Sequence, residues 1–268
     1  MRDGDPPPPT RTFSLDTPNG ALHVEAWGAA DAALNGAVAA PPALLVHGVN
    51  GSTASWATVV GEIAGRRPLL AIDLRGRGSS SHDGPWGVGA HADDLVAAID
   101  TLAGATGEPI SLVGHSFGAH VVACAALRAD DELVADLLLI DGGPPRRIPD
   151  DGGADAVIDG ALGNILPQLD GLPFPVSVEA VAADFASMVV DADATESLAA
   201  TSHPLTLIRA EHGVAPGLPP IIDDGVLAAL EERRPVLSTV IEGATHFSLL
   251  AEHANAVTSA LLAPTMRP

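Results

Sequence analysis

Seven short runs in which nearly every residue is apolar punctuate this chain: ALHVEAWG at 21–28, PALLVHG at 42–48, PLLAIDLRG at 68–76, PISLVGHS at 109–116, DLLLIDGG at 136–143, PLTLIRAE at 204–211 and PVLSTVIEG at 235–243. Between the middle ones lie SWATVVGEIAG (55–65) and GAHADDLVAAIDTLAG (89–104), whose apolar residues recur at the three- and four-residue spacings of one helix face. Strands that alternate with helices pair in parallel through crossover helices. Strands apolar on both sides need cover on both faces of the sheet. The pattern therefore predicts an α/β fold with a mostly parallel sheet between two layers of helix.

That rhythm stops after the fifth run. From Gly143 to Ser202 the chain reads GGPPRRIPDDGGADAV and then helix-like pieces, DAVIDGALGNILPQL and VEAVAADFASMVV, before strands resume at Leu205 and Val236. The expected organisation is a core formed by residues 11–142 and 203–268, a helical insertion at 143–202, and a disordered, proline-rich tail at 1–10. At 268 residues, one large domain can bury its core without metal or disulfide support.

Composition narrows the function classes. The net charge is −21, and every one of the 13 basic residues is arginine, so nucleic acid and anionic membrane surfaces are unsuitable partners. The absence of lysine also rules out a phosphate-binding loop of the lysine type. The acidity has two readings, coding bias or adaptation to salt, and composition does not separate them. No run approaches the roughly 20 apolar residues that span a bilayer. The start, MRDGDPPPPT, lacks the basic and apolar segments of an export signal, so the expected compartment is the cytoplasm. The lone cysteine, Cys124, sits in the apolar run HVVACAAL and reads as a packing residue.

One turn carries chemistry. Gly114-His115-Ser116-Phe117-Gly118 joins an apolar strand to a helical run, and small residues beside the serine are what a sharp strand-to-helix elbow requires. In that setting Ser116 projects as a nucleophile; the competing reading is a glycine-rich turn whose serine caps the helix. The Phe117 amide, at the positive end of the following helix, can donate to an oxyanion. The loop LLVHGVNGS supplies a second donor, the Val49 amide, with His47 organising the loop. His115 and His120 read as packing residues. A general base follows in VLSTVIEGATHFSLLAEH, where His246 lies between a strand and the last helix.

With HGVNG, DLRGRGSS, GHSFGA and GATHF in that order, the chain resembles the α/β-hydrolase superfamily from about Phe13 to Leu262. The resemblance implies an eight-stranded, mostly parallel sheet, a helical cap over the active site, Ser116 as nucleophile and His246 as base. It implies no cofactor. Asp73 and Arg75 fall in a family turn that is usually structural.

The resemblance also exposes a gap. Family members usually carry the acid of the triad in the loop after the penultimate strand, where this chain has AEHG and places Gly213 at the expected position. A carboxylate is still needed to hold the imidazole tautomer and stabilise the imidazolium. Asp141, at the end of the strand before the insertion, is the first candidate, since some members place their acid there. Glu211, at the end of the penultimate strand, is its rival, and a chain in which neither serves is the third reading. Asp223 and Asp224 read as a helix N-terminus.

Asn50, Trp56, Phe174, Phe185, Met188 and Phe247 are candidate pocket residues, and Trp86 and Phe117 could join them. His91 and Asp94, at helical spacing, make an incomplete metal site and read as a solvated helix face; no metal site is expected. The resulting expectation is a serine hydrolase acting on a small or medium apolar ester, thioester or lactone, with a small-molecule substrate as its partner. The alternatives are a carbon–carbon bond hydrolase, an acyltransferase or a perhydrolase on the same scaffold, or a ligand-binding relative without turnover. Oligomeric state is not legible in the sequence.

Overall fold

The computed structural model describes residues 6–28, 41–144, 153–190 and 198–263. Eight strands form one sheet: β1 (Arg11–Thr17), β2 (Gly20–Trp27), β3 (Ala43–Val46), β4 (Leu69–Ile72), β5 (Ile110–His115), β6 (Val134–Ile140), β7 (Leu205–Ala210) and β8 (Leu237–Ile241). Their spatial order is β1-β2-β4-β3-β5-β6-β7-β8. The contacts of β1 with β2 and of β2 with β4 are antiparallel, and all others are parallel. β1 is the strand the apolar runs did not reveal. Its sequence, RTFSLDT, alternates polar with apolar residues, as an edge strand wet on one side does.

The helices pack where the pattern places them. α1 (Ala57–Ile63) and α7 (Ala254–Leu262) cover one face; α2 (Val88–Thr106) and α3 (Phe117–Arg128) cover the other. Side chains alternate across each strand, so Leu44, Val46, Leu70 and Ile72 point into one layer while Ala43, Leu45, Leu69 and Ala71 point into the other. Burying one such Leu or Ile side chain stabilises by roughly 1.5–3 kcal/mol. α2 ends at Gly107, whose left-handed conformation lets its N–H return to the Ala103 carbonyl at 2.8 Å. Before α6 (Asp224–Glu231), Asp223 caps the helix by accepting from the Val226 N–H at 2.8 Å. Cys124 is buried inside α3.

Between β6 and β7 lie α4 (Gly153–Leu169) and α5 (Val178–Val190). The rest of the predicted 143–202 insertion falls partly outside the described residues. These helices are tied to the loop after β4: Gly78 N–H donates to Pro175 O at 2.9 Å, and Ser177 N–H to Gly76 O at 2.8 Å. Of the predicted disordered tail, residues 1–5 lie outside the description, whereas residues 6–10 follow the sheet edge. There the Trp27 indole N–H donates to Pro7 O at 3.0 Å and Thr10 N–H to Ala26 O at 2.8 Å. An aromatic donor on β2 gives that proline run a partner, which composition alone does not register.

Among the described residues no helix is long and apolar enough to cross a membrane.

Candidate active site

The elbow after β5 is built by close approach. A Cβ on Gly114 would lie 2.5 Å from Gly118 O, and one on Gly118 would lie 2.3 Å from Val46 O, so a larger residue on either side of the serine would push the helix off the sheet. Ser116 itself holds φ 54° and ψ −120°, a conformation that costs a non-glycine residue energy and lifts its side chain from the turn. Its N–H is anchored on Ile140 O at 3.0 Å.

Three side chains from distant parts of the chain meet there. His246 Nε2 lies 2.9 Å from Ser116 Oγ, and His246 Nδ1 lies 2.7 Å from Asp141 Oδ2. A carboxylate accepts only, so Nδ1 carries the hydrogen and Nε2 is free to accept from the hydroxyl. Asp141 is fully buried, with φ 47°, at the end of β6. Its second oxygen accepts from Ala210 N–H at 3.2 Å, and its own N–H donates to Ile208 O at 2.8 Å. Both oxygens are thus satisfied, and the side chain has one orientation.

Glu211 is elsewhere. It is exposed at the end of β7, where Oε2 accepts from the Gly243 N–H at 2.7 Å across the β7–β8 edge. Gly213, at the position the family gives to an acid, has no room for one: a Cβ there would lie 2.3 Å from Pro219 O. Its backbone instead supports the histidine, because Gly213 O accepts from the His246 N–H at 2.9 Å.

Histidines ring the serine. His115, which the sequence marks as a packing residue, stacks on His246 with ring centroids 4.9 Å apart and 28° between planes, donating from Nε2 to His246 O at 3.2 Å. The pair is separated by 131 positions, and no local spacing announces it. His47 accepts from Leu74 N–H at Nε2 (2.9 Å), which leaves its hydrogen on Nδ1 to donate to Gly48 O (2.7 Å). Burial is the main reason that three rings stay neutral: His115 is lowered to about 3, and His47 and His120 each to about 4.

Ser116, His246 and Asp141 lie on one side of a cavity of ≈ 1060 Å³, which Val49, Asn50, Phe185, Met188 and Phe247 also line. Two predicted pocket residues lie outside it. Trp56 is fully buried in the core layer beneath α1, although its neighbours Ser55 and Ala57 line the cavity, and Phe174 sits half-buried in the loop between α4 and α5. Phe117 likewise packs in the core, edge-on to His91 at 5.6 Å, and Trp86 covers the Arg75 guanidinium at 5.5 Å. What the sequence reading missed is a stripe on α4, Val157, Ala161, Asn164, Ile165 and Gln168, which faces the cavity at helical spacing. His120 also lines it. The signal for the stripe was the period of α4 itself.

His91 and Asp94 require a correction as well. Both are buried rather than solvated: His91 Nε2 lies 3.0 Å from Asp184, and Asp94 Oδ2 accepts from Arg75 Nε at 2.5 Å. Their partners come from other elements, so a helix considered alone reads them as surface. Asp73 organises the turn after β4, accepting from Thr53 and Ser79 N–H at 2.7 and 2.9 Å. Among the described residues no group of three or more His, Cys, Asp or Glu side chains could hold a metal ion.

The family model described as "Alpha/beta hydrolase family" matches residues 43–260. Among curated proteins, the chain is 38% identical over 109 residues to ethanol acetyltransferase 1 of Cyberlindnera fabianii, covering 40% of this chain and 31% of that protein. It is 30% identical over 134 residues to lipase LipV of Mycobacterium tuberculosis, covering 48% and 47%. The chain thus spans less than half the length of these relatives. Among solved structures, the enol-lactonase from Burkholderia xenovorans LB400 superposes with a TM-score of 0.71 at 18% identity, over 93% of this chain and 98% of that one.

Proposed function

Because the chain belongs to the alpha/beta hydrolase family, we propose that it is a serine hydrolase that cleaves a small or medium apolar ester, thioester or lactone through an acyl-enzyme on Ser116. The observation that carries this reading is the hydrogen-bonded series Ser116–His246–Asp141 opening onto an apolar cavity. As the Ser116 oxygen bonds to the substrate carbonyl carbon, its proton passes to His246 Nε2, and Asp141 stabilises the imidazolium that forms. The carbonyl oxygen becomes an oxyanion, for which the Val49 and Phe117 amides are the proposed donors; neither N–H enters a hydrogen bond among the described residues. His246 then gives the proton to the leaving oxygen or sulfur as its bond to carbon breaks. Water repeats the sequence and releases the acid.

The cavity supports an apolar, uncharged substrate. Among the described residues no arginine lines it, and its far wall is the α4 stripe together with Phe185 and Met188 of α5, which makes these helices the proposed cap. Asn50, Phe185, Met188 and Phe247 are the proposed substrate contacts. A second reading, acyl transfer to an alcohol, has the likeness to ethanol acetyltransferase 1 in its favour. It differs only in which nucleophile, an alcohol or water, attacks the acyl-enzyme.

The test is labelling with a fluorophosphonate, followed by turnover of p-nitrophenyl esters of increasing chain length, with and without ethanol. Labelling that Ser116→Ala abolishes, with acid as the main product, is the expected result. Ester product in ethanol would move the assignment to transfer, and an unlabelled wild type would sink both.

A further inference from the structure

The loop that leaves β3, His47-Gly48-Val49-Asn50, lies against the serine: a Cβ on Gly48 would come 3.2 Å from Ser116 Cβ. Its carbonyls are held from behind. Gly48 O accepts from His47 Nδ1 at 2.7 Å and from Gly51 N–H at 3.0 Å. Val49 O accepts two bonds from one guanidinium, Arg77 Nε at 2.9 Å and Arg77 Nη2 at 2.7 Å. In a trans peptide the carbonyl oxygen and the following N–H point in opposite directions. Pinning the carbonyls of 48 and 49 therefore pins the N–H groups of Val49 and Asn50, facing away from those anchors. Val49, Asn50 and Ser116 all line the cavity.

Arg77 is itself held from the inserted helix. Its guanidinium is fully buried, donates to Arg75 O at 3.0 Å, and pairs with Asp184 of α5 through Nη1. Asp184, also fully buried, accepts in addition from Gly87 N–H at 2.5 Å and from His91 Nε2 at 3.0 Å. Removing two charges from water is costly, and the pair is tolerated only with its hydrogen-bonding capacity filled on both sides. Asp184 thereby connects a helix that roofs the cavity to a carbonyl behind the nucleophile.

We infer that Arg77 is a positioning residue that, by holding Val49 O, fixes the loop whose Val49 N–H is the proposed oxyanion donor, and that Asp184 on the inserted helix holds Arg77 in that role. The inference rests on the hydrolase reading for its catalytic consequence, but the clamp on the loop stands without it. The helical insertion is then a structural part of the oxyanion hole as well as a wall of the pocket.

The experiment compares Arg77→Lys, Asp184→Asn and Ser187→Ala with wild type. Lysine keeps a positive charge but cannot place two donors on one carbonyl. Ser187→Ala is the control: it removes the bond from Val88 N–H to Ser187 Oγ, at 2.9 Å, and that from Ser187 Oγ to Asp184 O, at 2.8 Å, and so loosens α5 while keeping the Asp184 carboxylate and Arg77. Arg77→Lys and Asp184→Asn are expected to lower kcat about 10- to 100-fold with KM within about threefold, as for loss of an oxyanion donor. The affinity for a boronic acid, whose serine adduct carries the tetrahedral oxygen, should fall by the same factor. Amide hydrogen exchange at residues 48–51 should accelerate in both, and Ser187→Ala should match wild type in all three.

Wild-type exchange at 48–51 in Arg77→Lys overturns the inference, as does a kcat loss of equal size in Ser187→Ala. If Asp184→Asn does not fold, Asp184→Glu replaces it, keeping the charge while displacing the carboxylate. A folded Asp184→Glu with wild-type exchange and kcat also overturns the inference. Wild type that resists fluorophosphonate removes the hydrolase reading alone, because the exchange measurement needs no turnover.

Discussion

Two neighbouring strand ends, those of β6 and β7, each present a carboxylate, and the two differ in almost every physical respect. Asp141 is buried, in left-handed backbone, with each oxygen committed to a separate donor. Glu211 stands in solvent and accepts from one backbone N–H, that of Gly243 in the turn after β8. The longer reach of glutamate does not compensate for its position at the edge. An acid that must orient an imidazole needs a fixed place and a low dielectric, and only the β6 end offers both.

The sharpest way to break this comparison is to neutralise each acid in turn. Asp141→Asn is expected to lower kcat by about 10³- to 10⁴-fold, the scale on which a triad loses its tautomer, while Glu211→Gln stays within twofold. Steady-state turnover of a p-nitrophenyl ester decides it. The reverse ranking would transfer the acid to β7.

The surroundings of the β6 end make a second demand, on acid stability. His47, His115 and His120 stay neutral when folded, at about 4, about 3 and about 4, but take up protons near pH 6.5 when unfolded. Between these limits the unfolded chain binds more protons, so stability falls as the pH drops from about 6.5 to about 4. Each ring contributes a slope of up to about 1.4 kcal/mol per pH unit. Urea midpoints across pH 4–7 should decline steeply, and His120→Leu should flatten that decline. A midpoint independent of pH in this range would show that the rings are not buried.

A smaller effect tests the β7 loop. Gly213→Asp puts a carboxylate at the usual family position, against Pro219 O. It should cost roughly 1–3 kcal/mol as overpacking, seen as a lower Tm, and should not restore turnover to Asp141→Asn. Recovery of activity would mean that the loop yields more easily than its packing indicates. Smallest of all, Glu211→Ala should lose about 0.5–1.5 kcal/mol from its bond to Gly243 N–H, with kcat unchanged.

What the sequence disclosed, and what it concealed, follows from how far each interaction reaches along the chain. The strands β3 to β6 were legible because their burial on both faces leaves an unbroken apolar run. β1 was not, because an edge strand alternates. The elbow was legible because its glycines are local to the serine, and Asp141 stood out because chain order leaves few acids at strand ends. The stack of His115 on His246 and the burial of His91 by Asp184 depend on partners 131 and 93 positions away, and no periodicity encodes such pairs. Trp56 shows a third limit: a large aromatic suits a pocket or a core equally, and here the ring enters the core while Ser55 and Ala57 on either side of it line the cavity.

Gly213 and its neighbours contribute backbone, not side chains, to the support of His246. On the proposed reading, the loop that would ordinarily carry the acid is released from that duty. Its side chains at Val214, Leu218 and Ile221 line the cavity instead. Substrate preference and chemical competence are thereby written in separate parts of the sequence. A library at those three positions can redraw the pocket wall while the proton relay stays intact, so this loop is where new substrate ranges can be selected at the least risk to turnover.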